Sequence, residues 1–174
     1  MEKLWKINKG NNPVLFVAQH NFPQIRENNI KPRDIKTGEI AEMLSEKFSA
    51  FSIVTTQVQY DPNWYENSDF RKEVFEIIKE NNIKLVVDIH GRKAQSSFKR
   101  EIFMNKAFSL NHNINLGEDW VEMNFKNDNQ LTLCEDLESV NIPSVELELR
   151  LDVRENIILG IDKSIEYLIS GLKG

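Results

Sequence analysis

The chain has 174 residues, of which 40% are hydrophobic and 28% are charged, and its formal net charge is −5. This composition predicts one soluble globular domain over 1–174, and it excludes the basic surface of a typical nucleic-acid binder and the polybasic patch of a membrane-surface protein. The single cysteine, Cys134, excludes an internal disulfide. The sequence shows neither an apolar run long enough to span a membrane nor the apolar core of a signal peptide, so we expect a cytoplasmic protein.

The first half of the chain alternates segments that predict strands with segments that predict helices. Apolar runs rich in β-branched residues predict three buried strands, over 13–20, 50–60 and 83–90. Between them, apolar residues recur at the spacing of one helix face and predict two amphipathic helices, over 37–49 and 67–82. Thr37 and Ser68 stand at the starts of these helices, so we expect them to act as N-caps.

The second half of the chain is less regular. The sequence predicts a weaker strand over 100–108 and a short helix over 117–126, and it leaves 131–141 open between a strand end and a helical turn. Residues 143–151 alternate apolar and charged side chains, which is typical of a strand. The last amphipathic segment, 155–173, predicts one long helix.

The alternation of strands and helices predicts an α/β fold, with three α/β/α layers around a mostly parallel mixed sheet. In such sheets ligands bind beyond the carboxyl ends of the strands. His20 ends the first predicted strand, and His90 ends the third, in the stretch VVDIHG over 86–91. Two of the three histidines of the chain are therefore expected at the edge where this class of fold builds its site.

Two imidazoles that converge from separate strands can hold one zinc ion, which in catalytic sites takes three protein ligands and keeps one position open. Instead of binding a metal, His90 could be a hydrogen-bonded histidine of the core, and His20 could be an ordinary loop histidine. We expect the third ligand to be Asp34, which lies in the loop between the His20 strand and the helix, with Glu39 as the alternative, although either carboxylate could simply favour the dipole of the helix that begins there. His112, in the polar segment SLNHNIN, is predicted to be a surface histidine.

Carboxylates on two predicted strands could assist such a metal. Asp88 lies two residues before His90 and so shares its face of the strand, where it could orient a neighbouring ligand. Glu146 and Glu148 share one face of the strand over 143–151, and we expect Glu148 to be the general base for a zinc-bound water. The alternative for these two glutamates is an edge strand with a solvated face.

The segment YDPNWYENSDFRKEVF, over 60–75, contains groups suited to a substrate carboxylate. Asn63 offers an amide, and Arg71 offers a guanidinium in the first turn of a predicted helix, where a bidentate pair is feasible. Arg92 is an alternative anion-binding residue, and Arg71 could also be a solvated helix residue. We expect the partner of the site to be a small molecule with a carboxylate, and neither nucleic acid nor a membrane.

The order of these motifs resembles the N-formylglutamate amidohydrolase family, which is similar to the zinc carboxypeptidases in fold and chemistry. The resemblance rests on VLFVAQH, RDIKTGEIAEML, a DPN before an FR helix, VVDIHG and VELELR, over roughly 14–155. It implies a zinc carboxypeptidase-like fold and a zinc-dependent hydrolase of a C–N bond next to a carboxylate. In that interpretation His20 and His90 bind Zn²⁺, Glu148 is the general base and Arg71 holds the substrate carboxylate.

The chain departs from the His-x-x-Glu pattern of the carboxypeptidases, because Asn21, Phe22 and Pro23 follow His20. This departure favours a second hypothesis, a degenerate relative that binds an acidic small molecule without catalysis. A third hypothesis, a two-metal phosphoesterase, is disfavoured because it needs more ligands than these strand ends offer. The acyl group, the amino acid and the oligomeric state cannot be read from the sequence.

Overall fold

The computed structural model describes residues 3–109, 120–125, 132–156 and 161–170. The strands in these ranges are β1 Trp5–Asn8, β2 Asn12–Ala18, β3 Gln24–Arg26, β4 Asn29–Lys31, β5 Ala50–Thr55, β6 Gln59–Tyr60, β7 Leu85–Arg92, β8 Arg100–Met104, β9 Trp120–Met123 and β10 Ser144–Arg150. The helices are α1 Thr37–Lys47, α2 Asp69–Asn81, α3 Lys106–Ser109, α4 Leu133–Ser139, α5 Leu151–Glu155 and α6 Ile161–Ser170.

Seven strands form the main sheet, in the order β1-β5-β2-β7-β10-β8-β9. The four central strands β5, β2, β7 and β10 are parallel neighbours, whereas β1 runs antiparallel to β5 and β8 runs antiparallel to β10. The predicted fold class, an α/β fold with a mostly parallel mixed sheet, is therefore confirmed. Because β2, β7 and β10 are parallel, their carboxyl ends lie side by side at one edge.

Helices cover both faces of this sheet. On one face, α1 and α6 pack their apolar stripes against the central strands, in a core that includes Ile40, Leu44, Ile165 and Leu168. On the other face, α2 and α4 pack against the alternate side chains of the same strands, with Phe70 and Val74 among the fully buried residues. Within the described ranges no helix is both long and apolar enough to cross a membrane.

The alternation along β10 divides its side chains between the two faces, as the sequence predicts. Val145, Leu147 and Leu149 lie in the core under α1 and α6. Glu146 and Glu148 therefore point to the α2 and α4 face, where Glu146 is buried and Glu148 is half-buried. β10 lies between β7 and β8, so the alternative interpretation of an edge strand is wrong.

A second, three-stranded sheet, β4-β3-β6, follows β2 in the chain and was not predicted. β3 and β4 form a hairpin whose turn includes Glu27 at a φ of 50°. The segment QIRENNIK is short and polar, so periodicity gave no strand signal there. The predicted strand over 50–60 is in fact divided, because β5 belongs to the main sheet and β6 pairs with β3 in the small one.

Several predicted boundaries change in the structure. The predicted helix over 117–126 is wrong, because Trp120–Met123 form β9, a strand parallel to β8. The open segment over 131–141 becomes α4, and the predicted strand over 100–108 becomes β8 followed by α3. Of the single helix predicted over 155–173, α6 Ile161–Ser170 is present, and Asn156 lies outside the helical conformation at the end of α5. Residues 157–160 and 171–173 lie outside the described residues.

The two predicted caps have different outcomes. Ser68 is the N-cap of α2, and its hydroxyl accepts a hydrogen bond from Arg71 N. Thr37 is not a cap, because α1 is preceded by Lys36 in the left-handed conformation with a φ of 72°. The Thr37 hydroxyl instead donates to the carbonyl oxygen of Asp34 at 2.8 Å. His112 lies outside the described residues.

Candidate metal centre

His20 and His90 converge at the carboxyl edge of the main sheet. His20 lies two residues beyond the end of β2, and His90 lies near the end of β7, the parallel neighbour of β2. Their Nδ1 atoms are 3.0 Å apart, and both side chains are almost completely buried. The structure thus brings together two imidazoles that are 70 residues apart in the chain.

Asp34 completes a group of three potential metal ligands. Its Oδ2 lies 3.5 Å from His20 Nδ1 and 3.7 Å from His90 Nδ1. The loop is anchored on both sides, because Asp34 N donates to the carbonyl oxygen of His20 and Gly91 N donates to Asp34 Oδ2. Glu39, the alternative third ligand, is exposed on α1 and pairs with Lys36.

A carboxylate lies behind each imidazole. His20 Nε2 is 2.9 Å from Asp61 Oδ1, and His90 Nε2 is 2.9 Å from Asp88 Oδ2. Both aspartates are fully buried. If each ring donates its Nε2–H to its carboxylate, both Nδ1 lone pairs point at the space that Asp34 also faces. This is the outer-shell arrangement that orients histidine ligands in metal sites.

The small sheet supplies two cations to the same region. Lys31 Nζ, from β4, is 2.8 Å from His20 Nδ1. Arg26, from β3, forms an ion pair with Asp61 through its Nε. The hairpin therefore lies over the carboxyl edge of the main sheet and places an ammonium group beside the histidine pair.

The charges of the cluster shift the pKa of two aspartates in the same direction. Burial alone would raise the pKa of Asp34, but its close contacts with His20 and His90 and the charge of Lys31 hold that pKa well below its usual value. Burial alone would also raise the pKa of Asp61. Its hydrogen bonds to His20 and Arg26 and the nearby positive charges outweigh burial, so that pKa is lowered. Both carboxyl groups are therefore ionised at neutral pH.

The acidic surroundings favour positive charge at His90. Burial alone would lower the pKa of His90, but the charges of Asp88 and Glu146, the hydrogen bond to Asp88 and the nearby carboxylate of Asp34 raise it well above its usual value. The same negative field that stabilises a proton on this ring would stabilise a cation held between the two rings. The donor set of two imidazoles and one carboxylate also suits a zinc ion.

Asp88, His90 and Glu146 form a second group of three potential ligands. It shares His90 with the first group, and all three of its members are buried. Burial, the largest effect, and the charges of Asp88 and Glu148 raise the pKa of Glu146 to about 7. This second group is better described as the buried hydrogen-bonding network behind His90, which Gln19 joins by donating to Asp88 Oδ2 at 2.5 Å.

Glu148 lies beside the histidine pair. The parallel register of β10 and β7 pairs Glu148 with His90, on the same face of the sheet. Its Oε2 is buried, has no hydrogen-bond partner among the described residues, and lies 3.8 Å from Arg92 Nε. A carboxylate oxygen that is neither bonded nor solvated is available to a ligand that enters the site.

The three residues predicted to bind a substrate carboxylate have different surroundings. Arg71 is 1% exposed, and its guanidinium donates to Asp136 Oδ2 at 3.1 Å, so it is packed inside the α2 layer. Asn63 Oδ1 accepts from Leu133 N, where it holds the start of α4. Arg92 remains at the rim of the cluster, where it pairs with Glu101 and has a side chain that is 37% exposed.

Gly91 and Arg154 hold the ligand loop against the sheet. A Cβ atom on Gly91 would lie 2.6 Å from Arg154 Cζ, so only glycine leaves room for this guanidinium. Arg154 donates to the carbonyl oxygens of Leu149, Ile35 and Arg92, which belong to β10, the Asp34 loop and β7. One buried side chain thus joins the three segments that surround the site.

Sequence reasoning missed five residues of the cluster: Gln19, Arg26, Lys31, Asp61 and Arg154. Asp61 is in the DPN motif, from which only Asn63 is predicted to belong to the site, although an acidic residue at the end of a predicted strand is a usable signal. Lys31 and Arg26 gave no signal, because their role depends on a hairpin that the sequence pattern does not reveal. Arg154 resembles any helix arginine until the position of Gly91 is known.

Comparisons with known proteins support the fold. No protein-family model and no curated protein matches the chain. The gene product Atu2144 from Agrobacterium tumefaciens matches with a TM-score of 0.67 and 18% identity, over 98% of this chain and 94% of that chain. Zinc-free apo YndL matches with a TM-score of 0.51 and 13% identity, over 98% and 90% of the two chains. At these identities the similarities establish a shared fold and nothing further.

Proposed function

We propose that the chain is a zinc-dependent amidohydrolase whose metal ligands are His20, Asp34 and His90. One observation carries the proposal: two imidazole Nδ1 atoms 3.0 Å apart both face one carboxylate oxygen, at 3.5 and 3.7 Å. The three atoms thus converge on one space, as the ligands of a single ion do. In the metal-free chain the Lys31 ammonium and a proton on His90 supply positive charge there, and a metal ion bound by all three groups would replace them.

The surroundings of the three groups support this assignment. Asp61 and Asp88 behind the rings are placed to fix the ring orientation, as carboxylates do in histidine metal sites. Asp34 is ionised at neutral pH because its pKa is lowered, so it is ready to bind a cation. YndL, which shares the fold, is described in a zinc-free apo form, and this description agrees with zinc as the expected ion.

Zinc bound there would polarise an amide carbonyl and lower the pKa of a water molecule. We expect Glu148 to accept a proton from the attacking water and to transfer it to the leaving nitrogen. Its unbonded Oε2, on the same face as His90, supports this role. The proposed substrate is an N-acyl amino acid or a small peptide-like molecule with a carboxylate, in agreement with the resemblance to N-formylglutamate amidohydrolases.

Metal analysis, two variants of site residues and one control variant test the proposal. We expect protein purified without chelators to contain about one zinc per chain by elemental analysis, and an anomalous difference map to place it between His20 and His90. His90→Ala should lose the zinc, whereas Glu148→Gln should keep the zinc and lose hydrolysis of N-acyl amino acids. Glu39→Gln, at the exposed alternative carboxylate, should change neither. Wild-type protein without stoichiometric zinc would contradict the proposal.

A second candidate, a binder of acidic small molecules that does not catalyse, is favoured by one observation. Lys31 Nζ already supplies a positive charge to His20 Nδ1, so the cluster has a cation without any metal. Thermal-shift measurements with N-acyl amino acids, with and without zinc, separate the two candidates. Stabilisation that does not depend on zinc supports the binder, and stabilisation that requires zinc supports the hydrolase.

A further inference from the structure

We propose that Lys31 couples metal binding to anion binding at this site. In the metal-free chain the Lys31 ammonium contacts Nδ1 of His20, the ring nitrogen that faces His90. A metal ion displaces the ammonium, which then pairs with a carboxylate of the substrate. This inference rests on the metal site proposed above and adds the group that recognises the substrate anion.

The competition follows from the contact between Lys31 and His20. Lys31 Nζ is 2.8 Å from His20 Nδ1, the same atom that faces His90 Nδ1 at 3.0 Å and Asp34 Oδ2 at 3.5 Å. A neutral imidazole has one acceptor nitrogen, because the other carries the proton. With Nε2–H directed at Asp61, the single lone pair of Nδ1 can bind the ammonium or the metal but not both.

Displacement of the ammonium does not require the hairpin to move. β3 is fixed at its end, because Asp61 N donates to the carbonyl oxygen of Ile25 at 3.1 Å, and β4 pairs with β3 in regular register. Lys31 has a flexible four-carbon stem, so its ammonium can rotate away while the backbone of β4 stays in place. The displaced charge therefore remains next to the site.

Among the described residues, the aspartates nearest the displaced ammonium would already be engaged, and the function proposed above assigns the unbonded Oε2 of Glu148 to the attacking water. Asp61 is already bonded to His20 and to Arg26, and Asp34 would be engaged by the metal and by Gly91 N. Arg92, the other cation near the site, is held by Glu101. A carboxylate on the substrate is the group that would neutralise Lys31, so Lys31 takes the role that the sequence suggested for Arg71.

Two consequences follow from this arrangement. Without an anion, the ammonium competes with zinc and weakens zinc binding. With a carboxylate bound to the ammonium, this competition is relieved, so anion and zinc must each tighten the binding of the other by the same factor. Couplings between such sites are typically about 5–150-fold.

The test is a set of zinc affinities measured by competition with a fluorescent chelator. The proteins are wild type, Lys31→Met, Lys31→Arg and the control Lys36→Met, which removes a lysine from the same segment that pairs with the exposed Glu39. Each is measured alone, with N-acetylglutamate as the anionic probe, and with the diamide of N-acetylglutamate as the uncharged probe. Zinc binding by the probes themselves is subtracted from separate titrations.

We expect N-acetylglutamate to tighten zinc binding to the wild type by about tenfold, within the usual range of coupling, and the diamide to have no effect. Lys31→Met should bind zinc more tightly than the wild type without any probe and should lose the response to N-acetylglutamate. Lys31→Arg should keep that response, and Lys36→Met should behave like the wild type.

Two results overturn different parts of the argument. Zinc binding that is equal in wild type and Lys31→Met, or that does not respond to N-acetylglutamate in the wild type, overturns the role of Lys31 and leaves the metal site standing. The effect of N-acetylglutamate on zinc binding to the wild type is measured without any variant. Its absence would therefore overturn the role of Lys31 even if Lys31→Met does not fold. Absence of zinc binding in all four proteins overturns the proposed function together with this inference.

Discussion

The proton on each imidazole of the candidate centre is directed by a buried carboxylate. Asp61 receives the Nε2–H of His20 while it also pairs with Arg26. Without the aspartate charge, the ring could adopt the other tautomer and direct a proton, rather than a lone pair, toward the space between the histidines. The position of this proton therefore decides whether His20 can act as a ligand.

Substitution of Asp61 by asparagine tests this role. We expect Asp61→Asn to weaken zinc binding by about 10–100-fold, the usual effect of losing an outer-shell partner of a histidine ligand. Asp69→Asn, at an exposed position that pairs with Lys72, is the matched control and should leave the zinc affinity unchanged. The affinity is measured by isothermal titration calorimetry. Equal affinities in the two variants would argue against a ligand role for His20.

Glu146 makes stability depend on pH near neutrality. Its pKa is raised from 4.5 to about 7, because burial and the charges of Asp88 and Glu148 disfavour the ionised form. A carboxyl group with a raised pKa contributes its full stability below pH 4.5, and this contribution is lost as the pH rises through about 7. Ionised Glu146 therefore destabilises the metal-free fold at alkaline pH.

The variant Glu146→Gln removes this titration. Between pH 5 and pH 8 we expect the free energy of unfolding of the metal-free wild type to fall relative to that of the variant, by about 2–3 kcal/mol for a shift of this size. Urea denaturation of both proteins in the presence of a chelator gives the difference in the free energy of unfolding between wild type and variant at each of the two pH values. A difference between wild type and variant that stays constant with pH would show that Glu146 does not titrate in this range.

Among the residues of the site, those at strand ends could be predicted from the sequence. Those that other loops and the small sheet bring to the site could not. His20, His90 and Glu148 could be selected because they interrupt or follow apolar runs, and parallel strands bring such ends together. The sequence favoured Asp34 over Glu39 only by its place in the loop after His20, and it kept both as candidates. The decision depends on the backbone bond from Asp34 N to His20 and on Gly91, which no periodicity encodes.

Among the elements, those with strong periodicity were predicted and those set by pairing were not. α2 matches its predicted apolar stripe and cap because both are local features. β9 was predicted as a helix, yet Trp120–Met123 pair with β8, so the neighbouring strand determines their conformation. α4 could have been recognised, because Thr132 and Glu135 have the spacing of a capping box.

The capping box of α4 gives a prediction for this element. The Thr132 hydroxyl accepts from Glu135 N at 3.3 Å, and Glu135 Oε2 accepts from Thr132 N at 2.8 Å. Thr132→Ala should lower the free energy of unfolding by about 1 kcal/mol. Glu135→Gln keeps an acceptor at this position and should cost less than half as much. Urea denaturation measures both, and equal costs would show that the Thr132 hydroxyl does not cap α4.

In the whole molecule, the candidate ligands come from distant parts of the chain. The segment after β2, the loop before α1 and β7 contribute one ligand each, and Arg154 joins the backbones of β10, that loop and β7. An unfolded chain cannot hold these groups around one ion, so a metal should bind the folded state in strong preference. Metal binding and folding are therefore expected to be coupled in this protein.

The coupling predicts a large effect of zinc on thermal stability. A ligand present at a thousand times its Kd stabilises the folded state by about 4 kcal/mol. For a chain of this size each kcal/mol corresponds to about 2–4 °C, so we expect zinc to raise the Tm of chelator-stripped protein by about 8–16 °C. Differential scanning calorimetry across a range of free zinc concentrations measures the shift.

Two controls connect the shift to the proposed site. Magnesium prefers oxygen ligands and octahedral geometry, so it should leave the Tm almost unchanged at the same concentration. The double variant His20→Ala/His90→Ala lacks both nitrogen ligands and should show no zinc-dependent shift, whatever its own Tm. Because the test compares Tm with and without zinc in each protein, a general loss of stability does not affect it. An undiminished shift in the double variant would place the stabilising zinc outside the His20, Asp34 and His90 group.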